Sequence, residues 1–297
     1  MSSGNMTADR RFAYAQLLRR DGDAEAAADI LAQTLELVPE WPEGRFALAE
    51  TLAEAGRKYD AIAAYETYLT LDPADSMGAA VKLALLTAIA PKVLPEAYLR
   101  RLFDEYAPRF EKALREKLRY RAPEILREAL DEVQTTGTFA RTFDLGCGTG
   151  LAGVALRERT AWLGGVDLSA AMVKGARDKG IYDQLTVGDM IAALGDLDPA
   201  CDLIVAADVL TYVGDLAPLF VTVRRHLASK GSFAFTVQRH DGEGFVLGAE
   251  HRFSHSQTYI ENLAAQSGFE VLILKPAVSR QEKGVDVPGL VAVLRAN

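Results

Sequence analysis

The amino-acid sequence predicts an α/β fold in which an all-α repeat domain precedes a seven-stranded sheet, mostly parallel with the last strand antiparallel. Three observations lead to this prediction. The chain has 297 residues, more than one domain usually contains, so two folded units are expected. The N-terminal segment repeats itself after 34 residues. From residue 138 onward, short apolar runs alternate with helical stretches, as in parallel strands joined by crossover helices.

Composition narrows the classes of function. The chain has 41 acidic and 33 basic residues and a net charge of −8, which disfavours nucleic acid as a partner. Cys147 and Cys201 belong to no metal-binding or disulfide pattern, so neither a metal site nor a disulfide is expected. The segment Met1–Phe12 lacks the apolar core of a signal peptide, and no apolar run approaches the ~18 residues of a membrane span. We therefore expect a cytoplasmic protein without membrane association.

Residues 1–95 form the predicted repeat domain, in which each unit reads as helix, glycine turn, second helix and terminal proline. The matching positions are Arg11/Arg45, Phe12/Phe46, Ala13/Ala47, Ala15/Ala49, Leu18/Leu52, Gly22/Gly56, Ala27/Ala61, Leu35/Leu69 and Pro39/Pro73. This pattern resembles the tetratricopeptide repeat. A further helix is predicted at Ser76–Ala90, with Ser76 as its N-cap. Two interpretations stay open: a packing or self-association module, or a groove for a protein partner.

Residues 96–297 form the predicted second domain, which begins with a helical lid or entry segment over 96–134. Apolar residues at three- and four-residue steps predict helices across Leu99–Val133, with breaks at Pro108 and Pro123.

A linker at Thr135–Thr138 leads into the predicted sheet, which occupies 138–297. The strands are predicted at Thr142–Leu145, Leu163–Asp167, Leu185–Val187, Leu203–Ala206, Ser232–Val237, Val271–Leu274 and Leu290–Leu294. Only a hairpin-length segment, around Glu282–Pro288, joins the last two strands, so they are expected to pair antiparallel at one edge.

The motif DLGCGTG, Asp144 to Gly150, carries the first strand into a glycine-rich turn. Its glycines let the backbone approach a ligand closely. Asp167 ends the next strand and can accept both hydroxyls of a ribose. The run from Gly148 to Gly153 also fits the G-x-G-x-x-G pattern of dinucleotide sites. Because Asp144 supplies a carboxylate suited to an amino group and unsuited to a pyrophosphate, the sequence favours a methyl donor.

Two later strand ends point to the same site, because ligands of such sheets bind outside the carboxyl ends of the strands. Asp189 and Met190 follow the third strand, where they could hold an adenine ring. The run DLIVAADVLTYV carries the fourth strand to Asp208. Together with DLGCGTG, GVDLS and VGDM, it resembles the class I S-adenosylmethionine-dependent methyltransferases, which have a Rossmann-like sheet. The repeat domain, FDEYAPRF and HRFSHS resemble a bacterial group of tetratricopeptide-containing methyltransferases.

The resemblance implies S-adenosylmethionine as cofactor and assigns roles to individual residues. Asp144, Gly146 and Gly148 would line the methionine end and Asp167 the ribose, with Leu168 and Met172 as an apolar wall, Asp189 and Met190 at the adenine, and Asp208 opening the acceptor side. Tyr106 and Phe110 would be the two aromatic residues over the cofactor, although Phe110 has no hydroxyl to donate.

A base is needed only if the acceptor must lose a proton, and the candidates are His255, then His251, and Tyr212. A neutral imidazole can take a proton near physiological pH, although His255 with Ser256 could instead cap the next helix. The small side chain of Cys147 suits the glycine turn without a catalytic role.

The expected function is methyl transfer to an oxygen or nitrogen of a small molecule. The alternatives are a protein methyltransferase whose repeat domain docks the target, a non-catalytic cofactor-binding scaffold, and a nicotinamide oxidoreductase.

Overall fold

The computed structural model describes residues 2–133, 137–198 and 200–297, which form two compact units, Met1–Tyr98 and Leu99–Asn297. The first unit contains the helices α1 (Met6–Arg20), α2 (Ala24–Leu37), α3 (Pro42–Glu54), α4 (Lys58–Leu71) and α5 (Ala79–Thr87). Each of the first four packs against the next along the chain. Residues equivalent in the 34-residue repeat are buried alike: Ala15 with Ala49, and Ala27 with Ala61, are all fully inaccessible.

The predicted third repeat helix is shorter than expected and has a different cap. It begins at Ala79 because Gly78, with a φ of 80°, stands at the N-cap position, and it ends at Thr87. The carboxylate of Asp75 accepts hydrogen bonds from the amides of Ala79 and Ala80 at 2.6 and 2.9 Å. The expectation that Ser76 caps this helix was therefore wrong, since the neighbouring aspartate satisfies the first amides.

The second unit opens with helices, as its 3.6-residue periodicity predicts. They are α6 (Glu96–Tyr106), a 3-10 turn at Ala107–Arg109, α7 (Phe110–Glu116) and α8 (Ala122–Val133). Pro108 lies in the 3-10 turn and Pro123 in the first turn of α8. At the start of a helix the backbone amide has no helical partner, so a proline costs no hydrogen bond there. Of the predicted linker Thr135–Thr138, Thr135 and Thr136 lie outside the described residues.

The sheet of the second unit contains nine strands among the described residues. Its strands are β1 (Phe139–Leu145), β2 (Thr160–Asp167), β3 (Gln184–Val187), β4 (Cys201–Ala206), β5 (Leu227–Arg239), β6 (Phe245–Leu247), β7 (Phe253–His255), β8 (Phe269–Ala277) and β11 (Gly289–Ala296). The helices between strands are α9 (Leu151–Leu156), α10 (Ala170–Asp178), α11 (Met190–Gly195), α12 (Ala217–His226) and α13 (Gln257–Gln266). A separate ribbon pairs β9 (Gln281–Glu282) with β10 (Val285–Asp286).

The seven predicted strands form the continuous path of the sheet, in the order β3-β2-β1-β4-β5-β11-β8. Strands β1 to β5 are parallel, and β11 pairs antiparallel with both β5 and β8. The count of seven was too low because the predicted loop Arg239–Ser256 contains β6 and β7, of which β7 pairs with the end of β5. Because β1, β2, β4 and β5 are parallel, their carboxyl ends lie at the same edge of the sheet.

Among the residues that the structure describes, none of the helices has the length and apolar character needed to span a membrane.

Candidate active site

The glycine turn after β1 is left open toward the helices that precede the sheet. Gly146, Gly148 and Gly150 have φ values of 62°, 54° and 91°, a region that side chains other than glycine rarely adopt. A Cβ atom on Gly146 would lie 2.3 Å from Cγ2 of Val209, whereas one on Gly148 would meet only the Phe110 ring, at 3.7 Å. The turn therefore forms a backbone cradle whose open side lies at Gly148.

The carboxylate of Asp144 is buried beside this turn, and only one of its two oxygens has a hydrogen-bond partner among the described residues. Its Oδ2 accepts a hydrogen bond of 2.6 Å from the Tyr182 hydroxyl, while Oδ1 is buried without a hydrogen-bond partner among the described residues. Burial raises the pKa of Asp144 to about 7; the charge of Asp167 adds to the increase and the Tyr182 hydrogen bond opposes it. A buried acidic oxygen without a donor fits a ligand that brings an ammonium group.

Asp167 at the end of β2 is held against the same turn. Its Oδ2 accepts from the amide of Gly148 and its Oδ1 from the amide of Ser169, both at 2.9 Å. Burial raises the pKa of Asp167, and these two hydrogen bonds counteract the increase. The structure therefore brings together three predicted cofactor residues, Asp144, Gly148 and Asp167, and the acceptor oxygens of the two carboxylates fit the amino and ribose ends of S-adenosylmethionine.

The remaining predicted cofactor residues have packing or capping roles of their own. Leu168 is half-buried and Met172 is fully buried in the domain. Asp189 caps α11, because its Oδ1 accepts from the amides of Ile191 and Ala192, both at 2.9 Å. Met190 packs at the margin of the main core. Their contacts with a cofactor stay predictions.

Aromatic residues of α6 and α7 gather over the glycine turn. Phe110 packs edge to face against Tyr106 at 5.6 Å and against Phe103 at 6.5 Å, and Phe103 meets Tyr212 at 5.2 Å. The predicted pair Tyr106 and Phe110 thus belongs to a cluster of four rings. Helix α6 is anchored by Asp104, whose Oδ1 accepts from the Ser169 hydroxyl at 2.5 Å, next to Asp167.

Asp208 lies beyond β4 in a strained conformation. Its φ is 57°, and its amide donates a hydrogen bond of 2.9 Å to the Thr236 hydroxyl. Its Oδ1 accepts from Nη1 of Arg280 at 2.5 Å. Burial raises the pKa of Asp208, while Arg280 and Arg252 act to lower it. Left-handed backbone at a non-glycine residue is typical of functional sites.

The candidate bases occupy very different surroundings. His255 is fully buried, and its Nε2 donates to the carbonyl oxygens of Val213 and Gly214, both at 3.0 Å. Burial lowers the pKa of His255 to about 4. This geometry favours a structural imidazole over a catalytic base, because Nε2 already carries a proton and Nδ1 is buried away from solvent. The second candidate, His251, is half-buried and has a φ of 61°. The third, Tyr212, accepts a hydrogen bond at its hydroxyl from Nε of Arg252 at 3.5 Å.

Sequence reasoning missed four residues of this region: Tyr120, Tyr182, Arg252 and Arg280. Burial raises the pKa of the Tyr120 phenol well above its usual range, and the charges of Asp208 and Asp144 add to the increase. All four stand between regular elements or before a strand, where no periodic pattern marks a side chain as inward-facing. One sequence signal pointed to such a residue: Arg280 is a charged side chain in the connection between β8 and β11.

Residues 143–235, from β1 to β5, match a family model described as a methyltransferase domain. The part of the chain from β1 to β5 is thus similar to methyltransferases. The match contains the glycine turn and Asp144, Asp167, Asp189 and Asp208, so it supports the methyl-donor interpretation of the turn over the dinucleotide one.

Two curated proteins to which this chain is similar are both named ubiquinone biosynthesis O-methyltransferase. The protein from Xylella fastidiosa (strain 9a5c) is 35% identical over 106 residues, which are 34% of this chain and 43% of the relative. The protein from Idiomarina loihiensis is 30% identical over 128 residues, 40% of this chain and 53% of the relative. The chain spans about half the length of the curated relatives it matches.

Solved structures share the fold of the methyltransferase domain at low identity. The 1,6-didemethyltoxoflavin-N1-methyltransferase of Burkholderia thailandensis, with its substrate and S-adenosylhomocysteine bound, is 16% identical with a TM-score of 0.52 and covers 70% of this chain and 92% of its own. The 4+2 cyclase SpnF, also 16% identical, has a TM-score of 0.53 and covers 67% of this chain and 94% of its own. A cyclase on the same scaffold means that activity has to be argued from the site.

Proposed function

We propose that the chain is a methyltransferase that moves a methyl group from S-adenosylmethionine to an oxygen or nitrogen of a small-molecule acceptor by in-line displacement. The observation that carries this proposal is the buried carboxylate of Asp144, one oxygen of which has no hydrogen-bond partner in the described parts of the chain and lies beside an open glycine turn. Both curated relatives are named as O-methyltransferases, which favours an oxygen acceptor.

We assign the cofactor contacts as follows. Asp144 would bind the amino group and Asp167 the ribose hydroxyls, since both carboxylates flank the glycine turn. The other proposed contacts are Gly146 and Gly148 along the methionine chain, Leu168 and Met172 as an apolar wall, Asp189 and Met190 at the adenine, Asp208 at the acceptor side, and Tyr106 with Phe110 above.

When bound, the cofactor supplies a methyl group that its sulfonium already activates. The protein mainly has to align the acceptor atom within about 3–3.5 Å of that carbon and exclude water. The four-ring cluster of Phe103, Tyr106, Phe110 and Tyr212 provides an apolar cover for this purpose. As the new carbon–oxygen bond forms and the carbon–sulfur bond breaks, the hydroxyl proton must leave the acceptor.

Tyr212 is the residue that we favour for holding this proton or guiding it to solvent. It stands four positions after Asp208, and its hydroxyl accepts a hydrogen bond from the Arg252 guanidinium, which orients it. His255 is less suitable because it is buried and its Nε2 donates to two carbonyl oxygens. His251, half-buried in the segment between β6 and β7, is the second candidate.

We also propose that the first unit is a tetratricopeptide-like array, as in the bacterial group that the whole chain resembles. The support is the equal burial of repeat-equivalent alanines and the serial packing of α1 to α4.

The decisive experiment incubates the purified chain with methyl-labelled S-adenosylmethionine and an extract of small molecules and proteins, then separates the products by size. Asp167→Ala is the blank, and Asp241→Ala, at a side chain 86% exposed, is the matched control. We expect label in the small-molecule fraction with the wild-type chain and the control, and none with the blank. Label on a polypeptide would refute the small-molecule acceptor, and equal label in wild type and blank would refute the enzyme.

A further inference from the structure

The acceptor side of the site holds a buried arginine whose hydrogen-bonding capacity is not filled. Arg280 is 1% exposed. Its Nη1 donates to Asp208 and its Nε donates to Oε1 of Glu282 at 3.2 Å. Its Nη2 is buried and has no hydrogen-bond partner within the described parts of the chain. Since buried donors are almost always paired, this nitrogen indicates a missing acceptor.

Arg280 cannot leave this position easily, because its backbone is clamped on both sides. The carbonyl of Ser279 accepts from the amide of Arg121 at 2.7 Å, and the amide of Gln281 donates to the carbonyl of Leu118 at 2.6 Å. The two bonds join the segment before α8 to the connection after β8. The guanidinium is therefore held in place before any ligand arrives, as binding sites require.

The guanidinium of Arg252 binds the carboxylate of Glu282, as that of Arg280 does. Arg252, between β6 and β7, donates from Nη1 to Oε1 of Glu282, the oxygen that Arg280 also uses, and from Nε to the Tyr212 hydroxyl. One carboxylate oxygen thus serves two arginines. Each guanidinium offers five N–H donors, so Asp208 and Glu282 leave the cluster with more donors than acceptors.

The cluster adjoins the proposed methyl-transfer site. Asp208 and Tyr212 belong to both, because Asp208 accepts from Arg280 and the Tyr212 hydroxyl accepts from Arg252. A group bound at the arginines would therefore be part of the acceptor molecule.

We propose that Arg280 and Arg252 bind a carboxylate carried by the methyl acceptor, which makes the substrate an organic acid. This inference rests on the proposed function. Asp208 and Glu282 already balance the charges of Arg280 and Arg252, so a carboxylate monoanion adds less unfavourable charge to the site than a phosphate dianion would. Arginine binds carboxylates through parallel hydrogen bonds from its planar group.

The test measures binding of benzoate, its neutral counterpart benzamide and inorganic phosphate to the chain loaded with S-adenosylhomocysteine, by ligand-observed NMR and calorimetry. Benzoate is expected to bind more tightly than benzamide or phosphate. Arg252→Gln should weaken benzoate binding by about tenfold or more while S-adenosylhomocysteine binding stays unchanged. Arg280→Gln should act in the same way, and Arg252→Gln keeps the test valid if loss of Arg280 prevents folding.

Arg239→Gln is the matched control, because Arg239 pairs with the exposed Asp241 outside the cluster. It should bind benzoate like the wild type. Equal binding of benzoate and benzamide, undetectable benzoate binding, preference for phosphate, or wild-type benzoate binding by Arg252→Gln would each overturn the inference. Failure of S-adenosylhomocysteine to bind would instead count against the proposed function, so the two failures are distinguishable.

Discussion

The hydroxyl of Tyr182 donates a 2.6 Å hydrogen bond to Oδ2 of Asp144, whose other oxygen has no partner among the described residues. This bond favours the ionised carboxylate, against the effect of burial. Tyr182 also packs against the glycine turn, where its Cε2 would lie 2.9 Å from a Cβ on Gly150. One side chain therefore supports both the shape of the turn and the charge of its acid.

Replacing Tyr182 with phenylalanine should weaken cofactor binding in a pH-dependent way. Without the hydroxyl, the pKa of Asp144 rises further, so a smaller fraction is ionised at neutral pH. We expect S-adenosylhomocysteine to bind roughly three- to tenfold more weakly near pH 7, with recovery at higher pH. Calorimetry between pH 6 and pH 9 checks this, with Tyr59→Phe, at a residue 84% exposed, as the control. A uniform loss at every pH would mean that the hydroxyl acts through packing alone.

Asp144 should also make the ligand-free chain less stable as pH rises. Burial raises its folded-state pKa to about 7, above the value of the unfolded chain, so the folded state binds the extra proton between these values. The free energy of unfolding should fall by up to roughly 4 kcal/mol between about pH 4 and pH 7 because of this group. Urea unfolding of wild type and Asp144→Asn across this range measures the difference. Parallel pH profiles for the two proteins would contradict the prediction.

His255 should contribute with the opposite sign. Burial lowers its folded-state pKa to about 4, below that of the unfolded chain, so its contribution is complete above about pH 6.5 and is lost as pH falls toward 4. The loss amounts to up to roughly 3 kcal/mol. His255→Gln keeps a donor for the carbonyl oxygens of Val213 and Gly214, and it should remove this pH dependence with little change in kcat. A fall in kcat of about a hundredfold or more in the folded variant would identify a base.

Three glycine-to-alanine changes should separate folding from binding. Gly146→Ala combines a positive φ with a contact of 2.3 Å to Val209, so we expect about 2–4 kcal/mol of destabilisation. Gly148→Ala keeps 3.7 Å to Phe110, so about 1–2 kcal/mol is expected, together with a loss of cofactor affinity. Gly180 has a φ of 64° and open space around it, so Gly180→Ala measures only the destabilisation that comes from placing a Cβ at a positive φ. Unfolding and calorimetric titration of the three variants test this order, and unchanged affinity in Gly148→Ala would argue against the cradle.

The parts of the fold that a local pattern encodes were predictable from sequence. The alternation of apolar runs and helices predicted the seven strands that form the continuous path, and Asp144 and Asp167 were expected at the ends of their strands. Whether a side chain in a segment between regular elements is buried is not encoded by such a local pattern. His255 looked like an accessible base in a loop, but β6 and β7 fold that loop against β5 and enclose the ring.

The acceptor side was unpredictable for a related reason. Arg280 pairs with Asp208 across 72 positions of sequence, and Tyr182 with Asp144 across 38. Such partners are brought together by the strand order, in which β2 and β4 flank β1, β3 lies beside β2, β5 beside β4 and β11 beside β5, and no local rule connects them. Ser76 shows the same limit over a shorter range, since either of two adjacent polar residues could have capped α5 and the backbone geometry selected Asp75.

The two backbone hydrogen bonds that tie Leu118 and Arg121 to the connection after β8 also restrict how the site can open. Helices α6 and α7 cover the glycine turn, yet the chain is fastened to the sheet immediately after them. A cover that swings away must therefore pivot before Leu118, and everything from that residue onward stays with Arg280. Movement of α6 and α7 would then leave intact the two backbone hydrogen bonds that hold Arg280.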